Sequence, residues 1–311
     1  MSGAYTSLEE LTRLAVPARR IPLFRSGPAK ALMAGGHQSR IRGRGMDFEE
    51  FRCYQPGDDI RTIDWRASAR TNKTQTRVYR EERERPVLLV LDQGPELFFG
   101  SRLNFKSVTA AEAMALLAWK ALHHGDRVGA LISGSQNGEH KQHKEFRPRR
   151  SRQHLLQLLQ QTARLNQSLK AGQPRNDKAL DTMLVSASRL AHPGSLVVVI
   201  SDFHGISQSG LKEMALMARH NDVMAVQVFD PFDQHLPSSG LYSVSDGNRR
   251  GILNTRSKQN RDNYQQQAAR RQKTLTDYLN QYRIPLLRID SSLPTDEQML
   301  GHTPEHAGGA Q

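Results

Sequence analysis

The stretch Val87-Leu88-Leu89-Val90-Leu91-Asp92, residues 87–92, is a continuous apolar run that ends at a carboxylate. Runs without polar alternation are typical of strands that are buried on both faces of a parallel sheet. Four later segments are likewise largely continuous apolar runs, at 127–132, 196–202, 222–229 and 284–289. Segments with apolar residues at helical spacing separate them, at 105–122, 155–165, 177–191, 211–217 and 264–282. This alternation predicts an α/β fold over residues 86–290, with a doubly wound, mostly parallel sheet covered by helices.

The segments on either side of this domain have other patterns. Apolar residues at helical spacing predict one amphipathic helix within residues 1–20, with Ser7 as its N-cap and Pro17 at its end. A Gly-rich basic loop is expected after this helix. Later in the chain we expect an edge hairpin at 241–254 and a loose C-terminal tail. The sequence therefore predicts four parts. They are an N-terminal helix and loop at 1–42, a charged module at 43–85, the α/β domain at 86–290 and the tail at 291–311.

The composition is that of a globular protein, with 37% hydrophobic and 24% charged residues in 311 and a mean hydropathy of −0.63. No apolar run approaches the roughly 20 residues that a membrane helix needs. The N-terminus lacks the apolar core of a signal peptide, so we expect a cytoplasmic protein. Cys53 is the only cysteine, which excludes a disulfide within the chain and a cysteine-based zinc site. Because no nucleotide-binding or hydrolase motif occurs, the sequence predicts no catalytic residue.

The net charge of +13 suits nucleic acid, an acidic membrane or an acidic protein as a partner. Residues 1–85 hold 17 Lys and Arg against 11 Asp and Glu, a surplus of 6 in that part of the chain. Its acidic residues are interleaved with the basic ones, which argues against a phosphate-binding arm.

The basic run at 147–152 opens a predicted helix without a nearby aromatic residue. It indicates a solvated basic loop, with a nucleic-acid or partner patch as the alternative.

Residues 43–80 read GRGMDFEEFRCYQPGDDIRTIDWRASARTNKTQTRVYR and are densely charged, yet they carry eight large apolar residues. Disordered basic arms rarely do so, which predicts an ordered module with a turn at 56–59. Its acidic and basic residues alternate, at Asp58, Asp59, Arg61, Asp64, Arg66 and Arg70. We expect them to form ion pairs and caps, rather than an acidic catalytic cluster, around a buried Trp65. The alternative is that the arginines face a partner.

The same stretch resembles the signature of a bacterial family known as domain of unknown function 58. The matching residues are Gly43, Gly45, Phe48, Arg52, Tyr54, Pro56, Gly57, Asp58, Asp59, Arg61, Ile63, Asp64, Trp65, Ala67, Ser68, Ala69 and Arg70. The resemblance continues more loosely to about residue 290. It implies that the signature module precedes a von Willebrand factor A-like domain. It also implies a MoxR-type AAA+ ATPase as partner, because many members of the family are encoded beside one.

Acidic residues follow two predicted strands, Asp92 after the first and Asp202 after a later one. Ligands of open parallel sheets gather at such strand ends. The resemblance implies a divalent metal there, held by an Asp-x-Ser-x-Ser loop, a Thr and a second Asp. This chain has Gly94 and Glu96 in place of the serines, and Asn176 or Asp177 near the Thr position.

The candidate metal ligands are therefore Asp92, Glu96 and Asp202, in a degenerate site that binds Mg²⁺ weakly at most. The alternative is that Asp92 and Asp202 accept hydrogen bonds from loop backbone N–H groups.

Taken together, these features predict a non-enzymatic interaction or adaptor protein. The resemblance implies that it works with a MoxR-type ATPase in the chaperone-like assembly or maturation of a client complex. The basic charge favours a nucleic-acid-binding protein as the alternative, and the scattered carboxylates favour a metal-dependent hydrolase as a second one. The sequence does not name the client.

Overall fold

The computed structural model describes residues 3–21, 46–55, 59–71, 73–81, 84–134, 143–173, 178–237, 239–245 and 250–301. The chain divides into two compact units. The first, here called the sheet unit, consists of Met1–Ala34 together with Arg85–Gln311. The second, the signature unit, consists of Gly35–Glu84.

The described helices are α1 (Leu8–Arg13), α2 (Ala15–Ala18), α3 (Trp65–Thr71), α4 (Lys106–His124), α5 (Arg152–Ser168), α6 (Ala179–Leu190), α7 (Gln208–Met217), α8 (Lys258–Gln281) and α9 (Thr295–Gly301). The described strands are β1 (Met46–Cys53), β2 (Gln75–Glu81), β3 (Pro86–Leu91), β4 (Arg127–Ile132), β5 (Lys144–Arg149), β6 (Leu196–Ser201), β7 (Asp222–Phe229), β8 (Leu241–Ser245), β9 (Arg250–Asn254) and β10 (Leu286–Asp290). Short 3-10 turns lie at Ile60–Thr62, Pro95–Leu97 and Pro231–Asp233.

A six-stranded sheet in the order β10-β7-β6-β3-β4-β5 organises the sheet unit. Its first five strands pair in parallel, and β5 pairs with β4 in the antiparallel direction. Counted along the chain within this sheet, the order is 6-5-4-1-2-3, the doubly wound arrangement that reverses beside the first strand. The predicted α/β fold class, with a doubly wound and mostly parallel sheet, is confirmed.

Each face of the sheet supports its own hydrophobic core, because successive side chains of a strand point to opposite faces. On β3, Val87, Leu89 and Leu91 belong to the core that contains α4, and Leu88 and Val90 belong to the core that contains α6 and α7. This double burial explains why the strands appear in the sequence as continuous apolar runs.

The N-terminal residues belong to the first of these cores. Ser7 caps α1 as predicted, in a reciprocal pair of hydrogen bonds with Glu10. Leu11 is fully buried, and its carbonyl accepts a hydrogen bond from Trp119 Nε1 at 3.1 Å. The prediction of a single helix ended by Pro17 is wrong. The chain forms two short helices, and Pro17 lies inside the second, in its first turn, where a missing N–H is tolerated.

Three further elements differ from the predictions. Strand β5 was not predicted, because four of its six residues are charged and exposed at the edge of the sheet, and only Phe146 and Pro148 are partly buried. The hairpin of β8 and β9 exists, but it forms a separate two-stranded sheet rather than an edge of the large one. The start of the expected loose tail is ordered, since α9 buries Met299 against the first core.

Among the helices of the described ranges, none has both the length and the apolar character required to cross a lipid bilayer.

The fold predicts the effect of a charge in the central strand β6. Val198 is fully buried there, so Val198→Asp would place an unpaired carboxylate in a dry core at a cost of several kcal/mol. We expect loss of the folded state, measured by far-ultraviolet circular dichroism and gel filtration.

Ser243→Asp, at an exposed position of β8, is the matched control and should leave both signals unchanged. A folded Val198→Asp protein of ordinary stability would contradict the assignment of β6 to the core.

Candidate functional site

Asp92 ties three strand ends of the sheet unit together. It follows β3, is buried, and its carboxylate accepts hydrogen bonds from Ser133 Oγ after β4 at 3.0 Å and from Ser201 Oγ of β6 at 2.8 Å. The backbone N–H of Gly94 donates to the same carboxylate at 2.9 Å. Burial, and secondarily the charge of Asp202, raise the pKa of Asp92 to about 6, although these three donors act in the opposite direction.

Asp202 ends β6 and forms a buried ion pair with Lys106. The Lys106 ammonium lies 2.8 Å from Asp202 Oδ2 and 3.2 Å from Asp233 Oδ2, and the side chains of Lys106 and Asp202 are each 6% exposed. Burial lowers the pKa of Lys106, but the two carboxylates outweigh this effect and raise it above its ordinary value. The other oxygen of Asp202 accepts a hydrogen bond from His204 N.

Lys106 was not identified in the sequence, although its position carries a signal. It is the first residue of α4, and the N-terminus of a helix disfavours a cation. A buried lysine at that point therefore requires nearby carboxylates. The sequence does not say which ones, because Asp202 and Asp233 are 96 and 127 residues away.

Glu96 lies beside Asp92 in the turn that follows β3. A Cβ atom on Gly94 would approach Glu96 Oε2 to 2.5 Å and Asp92 Oδ1 to 3.1 Å. A side chain at position 94 would therefore require the Glu96 carboxylate to move from its present place. Glu96 Oε1 is buried and has no hydrogen-bond partner within the described part of the chain.

These contacts do not fit a divalent cation. Both oxygens of Asp92 already accept hydrogen bonds, and Asp202 is neutralised by an ammonium group. Within the described ranges, no group of three or more His, Cys, Asp or Glu residues is placed to hold a metal ion. The alternative that Asp92 and Asp202 bond loop N–H groups is confirmed for both. Asn176 and Asp177 lie outside the described residues.

In the signature unit, the predicted acidic residues act as caps. Asp59 accepts a hydrogen bond from Arg61 N at the start of a 3-10 turn, and Asp64 accepts one from Ala67 N at the start of α3. Ser68 Oγ donates to the Asp64 carbonyl and accepts from Gln75 N, which links α3 to β2. Capping is thus confirmed, and these residues stabilise the unit.

Two other signature residues make local contacts, and two lie outside the described residues. Arg52 donates to the side chain of Gln55, and the Tyr54 backbone N–H donates to Thr74 O beside the end of β1. Gly57 and Asp58 are the two that fall outside the described ranges.

The prediction that Trp65 is buried is wrong. Trp65 is 70% exposed at the start of α3, and Ile60 in the preceding turn is 66% exposed. Arg61, Arg66 and Arg70 are exposed as well, and we find no ion pair between them and another described side chain. The predicted pairing of these arginines is therefore absent from the described part of the unit. They lie close in sequence to Ile60 and Trp65, two large apolar side chains that stay mostly exposed.

The fold and these sites define a protein with a doubly wound α/β unit and a separate signature unit. The family described as protein of unknown function DUF58 matches residues 50–274. An uncharacterized protein of Mycobacterium bovis is 33% identical over 234 residues, which are 75% of this chain and 71% of that protein. An uncharacterized protein of Mycobacterium tuberculosis gives the same values. The chain belongs to the DUF58 family.

Two solved structures share part of the architecture. The conserved hypothetical protein BatB from Bacteroides thetaiotaomicron is 12% identical, with a TM-score of 0.40, over 69% of this chain and 94% of that one. An aerotolerance-related membrane protein from Bacteroides fragilis is 14% identical, with a TM-score of 0.39, over 68% of this chain and 94% of that one.

The buried ion pair predicts a large effect of Lys106→Met. This change removes the ammonium but keeps an apolar side chain of similar length, so Asp202 is left buried without its counter-charge. We expect a loss of about 3 to 5 kcal/mol in the free energy of unfolding, measured by urea denaturation at neutral pH.

Lys212→Met, on an exposed position of α7, is the control and should change stability by less than about 0.5 kcal/mol. Equal stability of the Lys106→Met and unmodified proteins would contradict the ion pair.

The raised pKa of Asp92 predicts a pH dependence. The folded state favours the protonated carboxyl of Asp92, so protonation of this group stabilises the fold. This stabilisation is complete below pH 3.8, the ordinary pKa of the group, and is lost as the pH rises to about 6. Relative to Asp92→Asn, the unmodified protein should lose up to about 3 kcal/mol across this window. Urea denaturation at several pH values measures the difference.

Asp277→Asn, on an exposed position of α8, controls for the loss of one negative charge. A constant difference between the unmodified and Asp92→Asn proteins at all pH values would refute the assignment.

Proposed function

We propose that this protein is a cytoplasmic, non-enzymatic interaction protein that works with a MoxR-type AAA+ ATPase to assemble or mature a client complex. In this proposal the signature unit provides the docking surface for the ATPase, and the sheet unit presents the strand ends to a further partner. The ATPase is the partner implied by the family signature of the sequence.

The exposure of Trp65 is the observation that carries this proposal. A tryptophan side chain loses a large favourable contribution when it stays in water, and exposed clusters of large apolar side chains mark interaction sites. Trp and Arg are also the residues most enriched among those that dominate the binding energy of protein interfaces. Ile60, Trp65 and the three exposed arginines next to them in sequence have this composition.

The helix geometry supports an acidic partner surface. Arg66 and Arg70 are four residues apart on α3, so their guanidinium groups lie on one face of the helix. Two like charges at this spacing repel each other slightly in the free protein. A carboxylate-bearing surface would remove that repulsion while an apolar side chain covers Trp65.

The strand ends of the sheet unit support an interaction role rather than metal-assisted hydrolysis. A metal-dependent hydrolase needs carboxylates with free oxygens to hold its cation. Asp202 instead neutralises Lys106, and Asp92 accepts hydrogen bonds from three donors.

An alternative partner is single-stranded nucleic acid, which the same residues favour in one respect. An exposed tryptophan beside arginines can stack on a base while the guanidinium groups contact phosphates. Binding of this kind weakens steeply as the salt concentration rises. A comparison of the affinity for the ATPase with the affinity for a single-stranded oligonucleotide distinguishes the two candidate partners.

The docking proposal predicts that Trp65→Ala weakens binding without unfolding the protein. Because Trp65 is mostly exposed, its removal should change the melting temperature by no more than about 2 °C. Binding to the purified MoxR-type ATPase of the same genome should weaken at least tenfold, which corresponds to about 1.4 kcal/mol. Arg70→Ala should weaken it by a smaller factor. Surface plasmon resonance with immobilised ATPase measures both.

Ile252→Ala is the matched control, since Ile252 is 75% exposed in β9 of the other unit. It should bind as the unmodified protein does. Undiminished ATPase binding by Trp65→Ala would show that the signature unit is not the docking surface. Tighter binding of a single-stranded oligonucleotide than of the ATPase, lost in Trp65→Ala, would favour the nucleic-acid role.

A further inference from the structure

A cleft of about 640 Å³ lies in the sheet unit next to Asp202. It is lined by residues of β7, by the loop that follows β6, by one side of α8 and by Arg288 of β10. Apolar side chains contribute much of this lining, among them Ile206, Val228 and Leu275. A concave site of this volume, which combines apolar side chains with many polar and charged ones, is large enough to hold a small organic molecule.

The charges in the cleft are not balanced. Its two carboxylates, Asp202 and Asp233, are both engaged by Lys106, which leaves no lining carboxylate for the other cations. Arg288 is the most constrained of these. Its Nε donates to Gln227 Oε1 at 3.2 Å, and its guanidinium carbon lies 4.4 Å from the centroid of the Phe229 ring. No ion pair joins Arg288 to a carboxylate in the described part of the chain.

The environment of Arg288 makes an anion favourable. Burial lowers the pKa of its guanidinium, and the charge of Asp290 offsets this only in part. Arg270 and Arg271 of α8 also line the cleft. Three guanidinium groups around one concave surface attract an anion, and the planar geometry of each suits two parallel hydrogen bonds to a carboxylate or phosphate.

Two further features belong to residues of the cleft lining, one a side-chain group and one a backbone conformation. Gln234, another lining residue, has a buried Nε2 that finds no hydrogen-bond acceptor within the described ranges. Phe203 in the loop after β6 has a φ of 56°, a left-handed conformation that is rare for a bulky residue. Backbone conformations of this kind cluster at ligand sites, where the surrounding structure holds them.

We propose that this cleft binds a small organic oxyanion, a carboxylate or phosphate monoester attached to an apolar or aromatic body. Arg288 and Arg271 hold the oxyanion, and the apolar lining covers the body of the ligand. An inorganic ion would leave most of the cleft unfilled. This binding activity goes beyond the docking role of the signature unit and does not depend on it.

Calorimetric titration with phenyl phosphate and with benzoate tests the proposal and distinguishes phosphate from carboxylate recognition. Inorganic phosphate serves as the probe for the ion alone, and benzyl alcohol as the uncharged one. We expect at least one aromatic anion to bind with a dissociation constant of about 1 mM or lower, and benzyl alcohol not to bind. Arg288→Gln should weaken binding at least tenfold.

Arg271→Gln is the second variant, because Arg271 is exposed on α8 and its replacement should not affect folding. It should weaken binding several-fold, whereas Arg219→Gln, an exposed arginine outside the cleft lining, should have no effect. Three outcomes would overturn the proposal. They are no binding of either aromatic anion, equal binding in both cleft variants and the unmodified protein, and inorganic phosphate binding as tightly as phenyl phosphate.

Discussion

The buried ammonium of Lys106 determines what the strand ends of the sheet unit can do. It joins the start of α4 to Asp202 after β6 and to Asp233 after β7, so three elements depend on one cation. A lysine is fixed to the chain, unlike a metal ion, and cannot offer a vacant coordination position to a partner. The pair therefore provides a permanent structural contact between the start of α4 and the end of β6.

Asp92 and Asp202 appear equivalent in the sequence, since each ends a buried strand, but the structure gives them different roles. Asp92 is held by neutral donors from the ends of β4 and β6 and from its own loop, and burial raises its pKa. Asp202 is compensated by a charge. Neutral donors compensate a buried carboxylate less completely than a cation does, and for Asp92 the effect of burial exceeds that of its three donors.

The sequence predicted the fold better than the site because the two depend on different distances along the chain. The runs of β3 and β6 are local patterns, and burial on both faces leaves a direct trace in them. The Lys106 contacts join residues about a hundred positions apart and leave no local pattern. The prediction that Trp65 is buried was wrong for another reason. The presence of a tryptophan predicts burial only when the surrounding unit can cover it, and the described residues of the signature unit do not.

The position of Lys106 affects both the carboxylates at the strand ends and the charge of the neighbouring cleft. If Asp202 and Asp233 were free, they would neutralise the nearby guanidinium groups and repel an anion. Because Lys106 engages both carboxylates, neither of them is available to pair with Arg288. The remaining positive side chains of the cleft are therefore the ones that the proposed anion would meet. This arrangement depends on a single side chain, because Lys106 reaches both carboxylates from the first position of α4.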